Sequence, residues 1–180
     1  MLSPHEIDWV RAAANGDRQA YACLVDGYWE KVRRWLYGLT GKEHAAEDIA
    51  QEAFLKAWTA LPALRDPGTF RVWLFQIARR CWADARRRSK LKEPLPADLV
   101  AGNAEPLGAM VEQETQERLR LALEMLPSKY RAAYLLWTQE ELPYNEIAQI
   151  LGVSEETARW RVCKARQSLV QMMESYLHRP

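Results

Sequence analysis

The sequence predicts an all-α protein made of two small helical bundles joined by a flexible linker, and three observations carry that expectation. Apolar residues recur at the three- and four-residue spacing of a helix through most of the chain. Alternating, strand-like runs are missing, and a stretch with prolines, glycines and no sustained period interrupts the pattern near residues 91–112. With 180 residues, 48% apolar and 27% charged, the chain has a globular composition and can bury one sizeable core or two small ones.

The elements follow in order. Tyr21, Leu24, Val25, Tyr28, Val32 and Leu36 form one long apolar stripe, and Ala50, Phe54, Ala57, Trp58 and Leu61 form a second, ended by Pro62. A third runs through Phe70, Trp73, Leu74, Ile77, Ala78 and Cys81. Three amphipathic helices can cover one another's stripes, which gives a first domain at residues 1–90. After the linker, residues 113–180 give a second domain. Leu119, Ala122, Leu123 and Leu126 repeat at helical spacing, and "LPSKYRAAYLLW" restarts a helix with Tyr130, Ala133, Tyr134 and Trp137 on one side. Short helices at 144–151 and from 155 to about 175 complete it.

Composition excludes several classes. No apolar run approaches the ~20 residues of a membrane span. The N-terminus "MLSPHEIDWVRAAANGD" has neither the basic start nor the apolar stretch of a secretory signal, so a cytoplasmic protein without membrane insertion is expected. Cys23, Cys81 and Cys163 are far apart, as are His5, His44 and His178. No disulfide scaffold, metal site or cofactor is implied, and no cluster has catalytic spacing, so an enzyme is not expected.

A net charge of +1 hides segregation. Residues 65–92 hold nine Lys and Arg against two Asp and Glu, whereas residues 93–126 hold two against seven. A basic block of this kind is a footprint for a polyanion, although a solvated helix face also explains such a run. On the helix from Phe70, the side opposite the apolar stripe carries Gln76, Arg79, Arg80, Arg86 and Arg87, bordered by Phe75 and Trp82. Cations suit phosphates and aromatic rings offer stacking surfaces to unpaired bases, so the combination fits DNA that is being opened. The preceding loop, residues 61–70, is rich in turn formers and is a candidate cradle for an extruded base.

"YNEIAQILGVSEETARWRV" reads as a helix-turn-helix. Gly152 sits where the turn needs positive φ, Ser154 is an N-cap, and Glu155 and Glu156 occupy the first turn, where the helix dipole favours acids. If Ala158, Val162, Ala165 and Leu169 face inward, Glu156, Thr157, Trp160 and Lys164 face out, with Arg159 and Arg161 on the flanks. Such a face reads base edges at its N-terminal end while neighbouring cations hold phosphates. An ordinary helical corner shares the turn chemistry.

In "AAEDIAQEAFLKAW", Ile49, Ala50, Ala53, Phe54, Ala57 and Trp58 point inward, and Asp48, Gln51, Glu52 and Leu55 line up outward at i, i+3, i+4 and i+7. An acidic and polar stripe with one exposed Leu suits a protein partner, though most soluble helices have polar outer faces.

These motifs together resemble bacterial sigma factors of the extracytoplasmic-function group, in the sigma-70 superfamily, over nearly the whole chain. "DIAQEAFLKAW" is similar to the family's region 2.2, "FRVWLFQIARRCWADARRR" to regions 2.3 and 2.4, and the chain from "LPSKYRAAYLLW" to "CKARQSL" to region 4. The resemblance implies that Asp48, Gln51, Glu52 and Leu55 dock on the clamp helices of the beta-prime subunit of core RNA polymerase. It implies that Asp66, Phe70, Arg79, Arg80, Trp82, Arg86 and Arg87 bind and melt the minus-10 element. Ser154, Glu156, Thr157, Arg159, Trp160, Arg161, Lys164 and Arg166 would meet the minus-35 element, and the second domain would also touch the beta flap. An anti-sigma factor is a further implied partner.

The family commonly has Asn where this chain has Arg80 and small residues where it has Glu156 and Trp160, so its promoter sequence is expected to be its own. Residues 89–112 can span ~80 Å at ~3.3 Å each. Boxes about 17 base pairs apart lie ~60 Å apart at ~3.4 Å per pair, within that reach. The alternative is a helix-turn-helix regulator acting without polymerase, which explains the second domain and leaves the outward stripe of the first without a role.

Overall fold

The computed structural model describes residues 2–92 and 118–177, and every regular element among them is helical. Helix α1 spans Pro4–Ala14 and opens with a capping box: the Ser3 hydroxyl accepts from the Glu6 N–H at 3.2 Å, and the Ser3 N–H donates to the Glu6 carboxylate at 2.7 Å. Asp17 caps α2, Arg18–Thr40, which stops at the left-handed Gly41. Helix α3, Glu43–Ala60, runs into a 3-10 turn that contains Pro62, as the proline signals. A second 3-10 turn, Pro67–Thr69, is capped by Asp66 and leads into α4, Phe70–Lys92.

The expected linker begins at residue 91, but Leu91 and Lys92 still belong to α4, and residues 93–112 lie outside the described residues. The chain is described again from a helical stretch at 118–125, here α5, followed by α6 (Ser128–Thr138), α7 (Tyr144–Leu151) and α8 (Glu155–Leu177).

The anticipated inward faces of α2, α3 and α4 are largely buried. Leu24, Tyr28, Val32 and Leu36 are at most 2% exposed, and Phe70, Leu74, Ala78 and Cys81 are fully covered. In α8, Ala158, Val162, Ala165 and Leu169 all turn inward. Leu119 departs from expectation: it is 40% exposed, and only its neighbours Ala122 and Leu126 are fully buried, in a small cluster with Ala165 and Leu169.

The larger departure concerns α6. On its expected inner side Ala133 is fully buried but Tyr130, Tyr134 and Trp137 are only half-buried, whereas Ala132, Leu135 and Leu136, off that side, are deeply covered. Helix α6 packs on α8 and also on α2 of the first bundle, and a helix between two neighbours needs apolar groups around most of its girth. Helix α7 in turn packs on α4. The two bundles therefore share an interface, and one cluster of buried residues runs from Val10 through to Val162.

Candidate nucleic-acid interface

Three surfaces carry the residues singled out in the sequence. The first is the outer side of α3. Asp48, Gln51 and Leu55 are exposed, Leu55 by 66%, and Glu52 is half-buried. The Glu52 carboxylate accepts from Lys56 at 2.7 Å and from Arg88 of α4 at 3.0 Å. Those two hydrogen bonds hold its pKa below the ordinary carboxylate value. Beside this ridge lies a groove of about 410 Å³ between α2 and α3, walled by Tyr21, Val25, Trp29, Phe54 and Trp58. Its walls are tied together: the Tyr21 hydroxyl donates to the Phe54 carbonyl at 2.6 Å, and the Tyr21 and Trp58 rings lie 4.8 Å apart. Tyr21 and Val25, expected on the inward stripe of α2, are half-buried and form this wall with Trp29, which the sequence reading did not name; the three stand four residues apart, a second apolar ridge beside the first.

The second surface is the basic side of α4. Arg80, Arg86 and Arg87 are exposed. The half-buried Trp82 ring has the Arg86 guanidinium 5.8 Å from its centre, and Arg87 pairs with Asp84. Two aromatic assignments change. Phe70, expected at the DNA face, is fully buried, 5.5 Å from the Tyr28 ring, and Phe75, expected to border it, is fully buried 5.5 Å from Trp35. Both rings supply core area that a small bundle needs. Asp66 is exposed, but one of its oxygens already accepts from the Gly68 N–H at 2.9 Å, which shapes the loop before α4. Arg79 is half-buried and donates to the Leu151 carbonyl of α7 at 3.3 Å. Burial first, and the neighbouring Arg80 second, depress its pKa.

The third surface is the helix-turn-helix of α7 and α8. Gly152 takes φ 66°, ψ 45°, where a Cβ would be strained, so the chain turns at the expected position. The Ser154 hydroxyl accepts from the Thr157 N–H at 3.1 Å and lies 2.8 Å from the Thr157 hydroxyl. Glu156, Arg159, Trp160, Lys164 and Arg166 are exposed, while Thr157 and Arg161 are half-buried. Arg159 reaches back to Glu155 at 3.3 Å and lies 5.3 Å from the centre of the Tyr144 ring. Trp160, 52% exposed, meets Tyr130 of α6 edge to face at 5.5 Å, so its indole is propped at the middle of the outer side. Arg166 stands over Trp137 at 5.5 Å. The outer side of α8 thus offers cations and one fixed ring along a single helix, an arrangement suited to a major groove.

Comparison with known proteins adds to this geometry. Residues 24–91 match the family model for Sigma-70 region 2, and residues 116–169 match that for Sigma-70, region 4. The chain is 31% identical to ECF RNA polymerase sigma factor SigW of Bacillus subtilis (strain 168), over 89% of this chain and 92% of that protein. It is 30% identical to the ECF RNA polymerase sigma-E factor of Escherichia coli (strain K12), over 94% and 95%. Its fold is that of CnrH, solved in complex with the cytosolic domain of CnrY, with a TM-score of 0.74 at 23% identity over 95% of this chain and 98% of that one. The sigma factor RpoE, solved with the anti-sigma factor NepR from Bartonella quintana, gives a TM-score of 0.71 at 21% identity over 86% and 96%. Near-full-length identity to two sigma factors, with both region models in order along the sequence, means that the chain belongs to the ECF RNA polymerase sigma factors.

Proposed function

We propose that the protein works in the bacterial cytoplasm as an alternative sigma factor, a noncatalytic subunit that joins core RNA polymerase, brings it to particular promoters and helps open them. Residues 1–90 serve as the region 2 domain, 91–112 as the linker and 113–180 as the region 4 domain. Asp48, Gln51, Glu52 and Leu55, with the groove beside them, receive the beta-prime clamp helices, and the second domain meets the beta flap.

Arg80, Arg86 and Arg87 neutralise phosphates at the minus-10 element, with Arg79 and the Asp66 loop alongside. Trp82 offers a stacking face to a base leaving the duplex, an interaction of about 1–3 kcal/mol per base. Ser154, Glu156, Thr157, Arg159, Trp160, Arg161, Lys164 and Arg166 face the minus-35 element. The core of such an assembly is a division of labour: cations along two helices hold one duplex at two places while α3 holds the polymerase. A protein of similar fold, the sigma factor RpoE, was solved with the anti-sigma factor NepR, which supports an anti-sigma factor as a further partner.

The observation that carries this reading is Leu55, a large apolar side chain 66% exposed at the end of an acidic ridge. A regulator acting without polymerase has no use for that ridge. Leu55→Glu places a charge where an apolar contact is expected and disturbs no buried neighbour. Capture of the full chain by purified core polymerase is expected to fall roughly tenfold or more while the unfolding midpoint stays put. Unchanged capture would remove α3 as the docking site.

A further inference from the structure

Three exposed side chains of α8 rest on aromatic rings supplied by other helices. Arg159 lies 5.3 Å from the centre of the Tyr144 ring of α7, Trp160 meets the Tyr130 ring of α6 at 5.5 Å, and Arg166 lies 5.5 Å from the centre of the Trp137 ring, again of α6. Tyr130 and Trp137 stand seven residues apart and their partners six, so α6 and α8 run side by side and a ring of one meets a side chain of the other at each end of the contact. This gives the half-buried aromatic side of α6 a use other than core packing.

Of the three supported side chains, only Trp160 is apolar. It projects from the second turn of α8, in line with Glu156 and Lys164 at four-residue spacing, and its indole is 52% exposed. Its seat is firm. The Tyr130 and Trp160 rings cross at 77°, edge to face, and the Lys129 ammonium stands 4.9 Å from the centre of the Tyr130 ring, so Tyr130 is itself braced. A ring held this way has little freedom left to lose when it meets a ligand.

The start of a recognition helix is the part that reaches base edges. In the major groove those edges offer an apolar ring one apolar group, the C5 methyl of thymine. We infer that Trp160 selects a thymine within the minus-35 element through contact with that methyl, and that Tyr130, from beneath, is the positioning residue that holds the indole against it. This deepens the proposed function and rests on it for the identity of the element.

Core polymerase carrying the protein can select minus-35 elements from duplexes randomised over that box. Each thymine of the selected element is then replaced in turn by deoxyuridine, which lacks only the methyl. Wild type should select thymine at one position where this exchange weakens binding roughly three- to fivefold, the ratio for withdrawing one methyl group from apolar contact. Trp160→Ala should bind thymine and deoxyuridine equally there and keep its preferences elsewhere. Tyr130→Ala should lose most of the same ratio, and Tyr130→Phe, which keeps the ring, should retain it. A purely structural role for Tyr130 would instead weaken binding to every sequence alike and leave the ratio untouched.

An element without a methyl-dependent thymine, or a ratio that survives Trp160→Ala, would overturn the assignment of Trp160. A ratio that survives Tyr130→Ala, or is lost in Tyr130→Phe, would overturn that of Tyr130. Failure to select any element would refute the sigma factor reading and this inference together, whereas an element read without any methyl would refute the inference and leave that reading standing.

Discussion

Ser154 and Arg159 divide the work at the start of the recognition helix. Ser154 satisfies an otherwise free N–H of the first turn, at 3.1 Å, so Ser154→Ala should lower stability by about 1 kcal/mol in urea unfolding and Ser154→Asp should keep most of it. Arg159 stabilises little by itself, since its pair with Glu155 is exposed on both sides. Its value is expected in DNA contact. Arg159→Ala should weaken binding of polymerase carrying the protein to a minus-35 element by about 1–3 kcal/mol, and only at one base pair, if the guanidinium meets a base edge. The same loss on every sequence would make it a phosphate contact.

Helices α3 and α4 are tied by Glu52, which bonds Arg88 across the gap and Lys56 within its own helix. Its pKa lies below the ordinary carboxylate value because hydrogen bonds from these cations favour the carboxylate, so the folded state binds the proton more weakly than the unfolded one. The stabilisation is therefore fully present well above the ordinary carboxylate range and lost as pH falls through the depressed value. The stability gap between wild type and Glu52→Gln, read from unfolding at a series of pH values, should be constant near neutrality and close on acidification. A gap that widens in acid would reverse the assignment.

The outward stripe holding Glu52 was legible because a single spacing, i, i+3, i+4, i+7, separates it from the buried side of α3. Helix α1 was harder to see: it buries only Val10 and Ala13, and its one clear mark is the capping sequence from Ser3 to Glu6. Helix α6 misled for the opposite reason. Its apolar residues serve two neighbours, and periodicity alone cannot say which side belongs to which.

For the whole molecule, sequence patterns delivered the all-α class, the three helices of the first bundle, the turn at Gly152 and the inward face of α8. They did not reveal that the bundles meet, because the meeting depends on pairs far apart in the chain, such as Arg34 with Glu140 and Arg71 with Glu146, each unremarkable where it stands. They offered Phe70 two roles, on the inward stripe of α4 and at the DNA face, and could not choose between them; nor did they show that Phe75 is spent in the core, since aromatic rings serve packing and stacking alike. Among the described residues no helix is long and apolar enough to cross a membrane. Function joins these parts only when polymerase is present. Purified core polymerase, alone and with this protein, should be given a fragmented bacterial genome and its transcripts sequenced from their 5′ ends. The proposed role requires a set of start sites seen only with the protein, preceded by two common sequence elements at fixed spacing. The same start sites with and without it would contradict that role.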